Sequence, residues 1–127
     1  MSTILIVDDE AHIRMLIQQT LEELEDDGVE LLTAADGEEA LAAIASAKPD
    51  LVFLDVMMPK VSGFDVCRRA KRDLGLSSMY IVLLTAKGQE FDRQKGYDSG
   101  ADLYMTKPFD PDGLLAKARE VLGLQTT

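Results

Sequence analysis

The chain is predicted to fold as an α/β domain, a three-layer (βα)5 doubly wound parallel sheet with strand order 2-1-3-4-5. Two observations predict this class. Five short apolar runs alternate with segments whose apolar residues repeat at helical spacing, and the 127 residues suffice for one domain with a buried core. Strands that alternate with helices pair in parallel through right-handed crossovers, so we expect helices on both faces of the sheet.

Composition and charge limit the possible functions. The net charge is −10, which argues against this chain gripping nucleic acid or an anionic membrane. No apolar stretch is long enough to span a bilayer, and the N-terminus enters a strand without the charged region of a signal peptide. Cys67 is the one cysteine and cannot form an internal disulfide, which fits a reducing compartment. We therefore expect a cytoplasmic protein that makes no contact with a membrane.

The apolar runs predict five strands, at about residues 3–8, 29–34, 51–55, 79–84 and 103–106. The first helix, at about residues 10–25, has one apolar face, made of Ile13, Leu16, Ile17, Leu21 and Leu24. Acidic residues crowd the end of this helix between positions 22 and 27. Their charge opposes the helix dipole, so we expect this end to fray.

Start and stop signals define the other helices. Asp36 is a candidate N-cap of the second helix, which ends at Lys48-Pro49-Asp50. The predicted apolar face of the third helix consists of Phe64, Cys67, Ala70 and Leu74. The fourth helix, at about residues 89–99, has the poorest apolar periodicity. Asp110 is expected to cap the fifth helix, with Pro111 at its first position.

Polar residues stand at the ends of four of the five strands. Asp8 and Asp9 follow the first strand, Asp55 ends the third, Thr85 follows the fourth and Lys107 follows the fifth. The carboxyl ends of parallel strands meet at one edge of the sheet, which is where ligands bind in open α/β folds. Each residue alone is an ordinary strand-end, turn or capping residue, but their joint placement predicts a functional site.

The residue types at this edge suit phosphoryl chemistry. Three close carboxylates repel one another, and a divalent cation removes that cost. Oxygen ligands favour a hard ion, Mg²⁺ first. Asp55 stands alone at the end of a central strand and is the candidate nucleophile that would form an aspartyl-phosphate. Lys107 can pair with Asp55 or with a phosphoryl oxygen, Thr85 can donate its hydroxyl, and the amide of Ala86 can add a backbone donor.

These residues belong to a set of short motifs that resembles the receiver domain of bacterial two-component response regulators. The resemblance covers essentially the whole chain. Each motif alone is weak, but together and in this order they are highly specific: Ile4-Leu5-Ile6-Val7-Asp8-Asp9-Glu10, Leu54-Asp55-Val56-Met57-Met58-Pro59, Leu83-Leu84-Thr85-Ala86, Gly100-Ala101-Asp102 and Lys107-Pro108-Phe109.

The resemblance implies a phosphoacceptor. Asp55 would take a phosphoryl group from the phosphohistidine of a sensor histidine kinase or a phosphotransfer protein. Asp8, Asp9 and Asp55 would bind Mg²⁺, and the backbone carbonyl of Met57 would complete the protein ligands. Such a domain catalyses only its own phosphorylation and dephosphorylation, so we do not expect an enzyme acting on other substrates.

The resemblance also implies a switch. Thr85 and Lys107 would bind the phosphoryl group, and Tyr104 would turn inward as Thr85 moves. The surface formed by the fourth helix, the fifth strand and the fifth helix would then change and be read by a downstream partner that the sequence does not name. The same resemblance suggests a cis peptide bond between Lys107 and Pro108.

Two positions depart from the receivers of winged-helix transcription factors. Leu103 and Gly113 stand where that class carries acids, so the basic residue Lys117 loses its partner across the dimer. We therefore expect a monomer or a weak dimer. The receiver domain is expected to span residues 1–124, followed by a short tail at 125–127. The chain is either a free-standing receiver or a fragment of a longer regulator.

Two other function classes remain as alternatives. An Mg²⁺-dependent phosphohydrolase with Asp55 as nucleophile usually has a second aspartate two residues later as general acid, and Met57 occupies that position. A flavodoxin-like binding module shares the strand order 2-1-3-4-5, but it needs a phosphate loop after the first strand. The acidic Asp8-Asp9-Glu10 would repel a phosphate there.

Overall fold

The computed structural model describes residues 2–58, 60–75, 78–86, 100–107 and 109–124. It contains a five-stranded sheet with the order β2-β1-β3-β4-β5, and every neighbouring pair is parallel. The predicted fold class and strand order are therefore confirmed. The predicted fourth helix, Pro108 with its peptide bond to Lys107, and the tail at 125–127 lie outside the described residues.

The strands lie close to their predicted positions: β1 Thr3–Val7, β2 Glu30–Ala34, β3 Leu51–Asp55, β4 Tyr80–Ala86 and β5 Leu103–Lys107. The described helices are α1 Ala11–Leu21, α2 Gly37–Ala47, α3 Gly63–Arg68 and a C-terminal helix, Pro111–Leu122. A 3-10 helix, Glu22–Asp27, extends α1, and a π-helical turn, Arg69–Asp73, extends α3.

The sheet separates two hydrophobic clusters, which form the core on its two faces. One cluster joins α2 and α3 to the sheet and includes Val7, Leu54 and Leu83. The other joins α1 and the C-terminal helix to the sheet and includes Ile6, Phe53 and Leu84. All five residues of β3 are buried, as expected for a central strand covered on both faces.

Side-chain caps begin three of the helices. Asp36 accepts a hydrogen bond from the Glu39 amide at 2.8 Å, and Asp110 accepts one from the Asp112 amide, with Pro111 at the first helical position. Both predicted caps are confirmed. Ser62 caps α3 in the same way, by accepting a hydrogen bond from the Asp65 amide at 3.2 Å.

Two residues assigned to apolar helix faces are exposed instead. Leu16 of α1 is 43% exposed, and its neighbour Ile17 is fully buried. Leu74 is 44% exposed because α3 gives way to the π-helical turn, which ends just before it and changes the rotation of the chain. The predicted contribution of these two side chains to the core was wrong.

The end of the first helix is a 3-10 helix with contacts to the rest of the fold, and the expected fraying stays a prediction. Leu24 of the 3-10 extension is fully buried. Arg119 of the C-terminal helix contacts Glu23 at 2.6 Å and Asp27 at 3.3 Å. A cation more than 90 residues later thus offsets the unfavourable charge of the acid run.

Within the described parts of the chain, no helix is both long enough and apolar enough to cross a membrane.

Candidate phosphoacceptor site

The strand register brings the predicted site residues together at the carboxyl edge of the sheet. Val7 pairs with Leu54, so Asp8 leaves β1 beside Asp55 at the end of β3. Asp55 pairs with Leu84, which places Thr85 one step beyond it on β4. Ala86 pairs with Lys107 at the far end of β4 and β5. The carboxyl ends of four parallel strands are aligned at one edge of the sheet, and residues far apart in the sequence therefore lie together there.

Lys107 joins the two buried carboxylates. Its Nζ lies 2.8 Å from Asp8 Oδ2 and 3.3 Å from Asp55 Oδ1. Asp8 is fully buried and Asp55 is 4% exposed, whereas the lysine side chain is 17% exposed. One ammonium group thus neutralises only part of the charge of two enclosed carboxylates.

The surroundings raise the pKa of both Asp55 and Lys107, but for different reasons. Burial and the charge of Asp8 raise the pKa of Asp55 from an ordinary value of 3.8 to about 7, although Lys107 opposes the rise. Burial lowers the pKa of Lys107, but the hydrogen bond to Asp8 and the charge of Asp55 outweigh it, and the net direction is upward. The lysine is therefore charged at neutral pH, and Asp55 is only partly ionised.

A cluster of three acids borders the site. One carboxylate oxygen from each of Asp8, Asp9 and Glu10 lies within 4.8 Å of the others, and the last two residues are exposed. The Glu10 amide donates to Asp8 Oδ1 at 2.9 Å and fixes that carboxylate. An all-oxygen, partly solvated donor set fits an ion that retains water ligands, as Mg²⁺ does. The uncompensated negative charge around Asp55 fits a divalent cation as well.

The remaining predicted residues differ in their distance from Asp55 in the sheet, since Thr85 lies on the adjacent β4 and Tyr104 on β5, one strand further away. Thr85 is 2% exposed, next to the strand partner of Asp55. The Met57 amide donates to Asp55 Oδ1 at 3.3 Å, which brings its backbone to the site. Tyr104 pairs with Leu83 in the sheet and packs, partly buried, on the cluster beneath α2 and α3.

Comparisons with known proteins agree with this geometry. A family model described as the response regulator receiver domain matches residues 4–119. The chain belongs to this family. Its role is that of a phosphoacceptor signalling domain, and both the resemblance inferred from the motifs and the function class inferred from it are confirmed.

Similar receiver domains occur in curated regulators. The chain is 45% identical over 119 residues to the alkaline phosphatase synthesis transcriptional regulatory protein PhoP of Bacillus subtilis, covering 94% of this chain and 48% of that protein. It is 48% identical over 120 residues to the phosphate regulon transcriptional regulatory protein PhoB of Pseudomonas aeruginosa, covering 94% and 51%. The chain therefore spans about half the length of these curated relatives.

Solved receiver structures have the same fold. The BeF3-activated receiver domain of DrrB, from Thermotoga maritima, superposes with a TM-score of 0.84 at 33% identity and covers 97% of this chain and 98% of that one. The chemotaxis protein CheY4 of Vibrio cholerae superposes with a TM-score of 0.82 at 36% identity and covers 95% and 98%.

Two residues around the site of this receiver domain were missed by sequence reasoning. Glu10 lies in the acid cluster, and its position directly after Asp8 and Asp9 is the signal that could have assigned it. Arg14 donates through Nη1 to the Asp8 carbonyl at 2.6 Å. Arg14 lies in the first turn of α1, and helical spacing alone does not predict the contact because the acceptor lies before the helix begins.

Proposed function

We propose that Asp55 is the phosphoacceptor residue of this receiver domain. The observation that carries the proposal is the contact of Lys107 Nζ with Asp55 Oδ1 and Asp8 Oδ2, which joins the buried carboxylates of two adjacent strands to one cation. Asp55 is the central member of this group and lies between Asp8 and Thr85 in the sheet order. Its burial limits the contact of this carboxylate with water and strengthens the charge interactions around it.

The proposed reaction is a phosphoryl transfer from a phosphohistidine. A carboxylate oxygen of Asp55 attacks the phosphorus while the bond from phosphorus to the imidazole nitrogen breaks, and the bonding electron pair returns to the imidazole. The donor would be a sensor histidine kinase or a phosphotransfer protein. The receiver supplies position and charge for its own phosphorylation and dephosphorylation, and we propose no other substrate.

Mg²⁺ fits the acidic edge of the sheet as a cofactor. Asp8, Asp9 and Asp55 would hold it together with the Met57 carbonyl, and Glu10 adds a fourth carboxylate nearby. When bound, the ion would neutralise charge on the carboxylates and on the phosphoryl oxygens. The exposure of Asp9 and Glu10 supports weak, exchangeable binding in which several ligands are water molecules.

Three further residues would bind the phosphoryl group. Lys107 supplies a charged donor, Thr85 supplies a hydroxyl, and the Ala86 amide supplies a backbone N–H from the end of β4. When Thr85 moves toward the phosphoryl group, Tyr104 would turn inward. The surface of the predicted fourth helix, β5 and the C-terminal helix would then change, and a downstream partner would read it.

The proposed scope of the domain is residues 1–124, in a cytoplasmic protein. Two relatives are named as transcriptional regulators, but the net charge of −10 argues against direct nucleic-acid binding by this part. Lys117 pairs with Glu120 within its own helix at 2.8 Å. This local pair, together with Leu103 and Gly113 at positions occupied by acids in winged-helix receivers, supports a monomer or a weak dimer.

Intact-mass analysis tests the acceptor assignment. Acetyl phosphate with Mg²⁺ should add one phosphoryl group to the wild-type protein and none to Asp55→Asn. Asp65→Asn is the matched control, because this partly exposed carboxylate on α3 pairs with Arg68 and should leave labelling unchanged. Undiminished labelling of Asp55→Asn would refute the assignment.

A further inference from the structure

Two glycines limit the position of the described parts of the β3–α3 loop, residues 56–58 and 60–62, which lead away from Asp55. Gly63 begins α3 and donates its N–H to the Val56 carbonyl at 3.0 Å. A Cβ atom on Gly63 would lie 2.8 Å from Val56 Cα and 3.0 Å from the carbonyl carbon of Asp55, and it would be closer still to the Asp55 carbonyl oxygen. These neighbouring atoms belong to the backbone and cannot move aside as the end of a flexible side chain can. Any larger residue at position 63 must therefore displace the end of β3.

The second glycine is on another helix. Gly37 begins α2, and a Cβ atom there would lie 2.7 Å from both Val61 Cβ and the Val61 carbonyl oxygen. Neither Gly37 nor Gly63 has a backbone angle in the left-handed region. Both positions therefore require glycine for space and not for backbone freedom.

The loop between these two contacts belongs to the site. Its Met57 amide donates to Asp55 Oδ1, the same oxygen that Lys107 contacts. Lys60 has a φ of 68°, a left-handed conformation that costs a non-glycine residue about 1 kcal/mol. Met58 and Val61 pack against the adjacent hydrophobic cluster. The described residues of the loop are thus packed against the rest of the fold, with a local backbone cost at Lys60, close to the proposed acceptor carboxylate.

We propose that Gly37 and Gly63 are positioning residues for phosphoryl transfer. Together they let α2 and α3 approach the β3–α3 loop closely enough to set the Met57 backbone against Asp55. This inference rests on the proposed function of Asp55. An alanine at either glycine must move the loop by more than about 0.5 Å to reach ordinary packing distances, and a displacement near 1 Å can slow a positioned reaction by roughly 100-fold.

The test compares four variants with the wild-type protein. Gly63→Ala and Gly37→Ala displace the loop from its two sides. Gly113→Ala is the matched glycine control, because a Cβ atom there comes no nearer than 3.5 Å to Asp110. Leu24→Ala is the stability control, because it empties a fully buried position in the other hydrophobic cluster without touching the loop.

The measurement is the initial rate of phosphorylation by acetyl phosphate as a function of Mg²⁺ concentration, at a temperature where circular dichroism shows every variant folded. We expect Gly63→Ala to be slower by about 10- to 100-fold and Gly37→Ala by several-fold, with the half-saturating Mg²⁺ concentration raised in both. The two controls should keep the wild-type rate and Mg²⁺ dependence. A variant that is only less stable, but folded, would not change the Mg²⁺ dependence.

Each outcome has a defined meaning. Wild-type rates and Mg²⁺ dependence in folded Gly37→Ala would overturn the inference even if Gly63→Ala failed to fold. An equal loss in Leu24→Ala would also overturn it, since the effect would then follow stability alone. If the wild-type protein took no phosphoryl group, the proposed function would fail and this inference with it. A labelled wild type with unaffected glycine variants would overturn the inference alone.

Discussion

Replacing Asp55 by asparagine should make the Mg²⁺-free protein more stable above pH 7. The carboxylate is 4% exposed, and burial and the charge of Asp8 raise its pKa from 3.8 to about 7. The folded protein therefore binds the Asp55 proton more tightly than the unfolded chain does. Between about pH 4 and pH 7 the folded state holds more protons, so this group's contribution to stability falls as the pH rises and is lost once the pH exceeds the folded pKa.

The size of the expected gain in stability follows from the rise in the pKa of Asp55. Taken in full, a change from 3.8 to about 7 corresponds to roughly 4 kcal/mol of differential interaction. Solvent reaches this edge through the exposed Asp9, and screening reduces the effect, so we expect Asp55→Asn to gain on the order of 1–2 kcal/mol at pH 8. Asparagine has the size of the carboxyl group and lacks its charge, so the difference should become small near pH 4 and vanish only well below pH 3.8, where Asp55 is protonated in both states.

Urea denaturation measures the difference in the free energy of unfolding between Asp55→Asn and the wild-type protein. Unfolding is monitored by far-ultraviolet circular dichroism, with a chelator present, at several values from pH 4 to pH 8. Glu30→Gln is the control, an exposed acid on the edge strand β2, and should show no comparable gain at pH 8. Mg²⁺ should narrow the gap by stabilising the wild-type protein more than the variant. A variant that is no more stable than wild type at pH 8 in chelator would refute the electrostatic reasoning.

Three further predictions concern the cation, the C-terminal helix and activation. Mg²⁺ at about 10 mM should raise the melting temperature in scanning calorimetry, and Asp9→Ala should remove most of that rise; a full rise in the variant would contradict the ligand assignment. Gly113→Ala should stabilise the protein by about 0.5 kcal/mol in urea denaturation, because alanine is the better helix former and its Cβ meets only ordinary contacts; a loss of stability would show that the first turn is already crowded. Beryllofluoride, a phosphoryl mimic, should change hydrogen exchange in β5 and the C-terminal helix, and unchanged exchange would count against the proposed switch. Light scattering of the same activated protein should detect a monomer or a weak dimer. A tight dimer at micromolar protein would contradict the proposed oligomeric state.

The local elements of this protein could be predicted from its sequence because their signals are local. Apolar runs placed the five strands within one or two residues, and the caps at Asp36 and Asp110 depend only on residues within the first helical turn. The alternation of strands and helices predicted a parallel sheet, and the strand-end residues then converged on one edge. The receiver family followed from the order of the same motifs.

Other features depended on contacts that no local pattern contains. Lys107 was predicted to pair with Asp55 or with a phosphoryl oxygen. Its Nζ contacts Asp55 at 3.3 Å, but it lies nearer to Asp8, at 2.8 Å, and this second contact depends on how the strands are aligned in the sheet. Arg119 secures an acid run more than 90 residues away, which a dipole argument about one isolated helix could not include. The π-helical turn exposed Leu74 against its predicted period.

The sequence by itself therefore determined the fold class, the convergence of the strand-end residues on one edge of the sheet, and the family. Periodicity, capping and motif order are properties of neighbouring residues, and they survive without knowledge of the packed structure. The tertiary structure decided the distances and the ionisation of the site and the space at Gly37 and Gly63. The distances and the space at the two glycines depend on how closely separate helices and strands approach, and a shift of a few tenths of an ångström is enough to change them. The ionisation of Asp55 depends on its burial and on the nearby charge of Asp8.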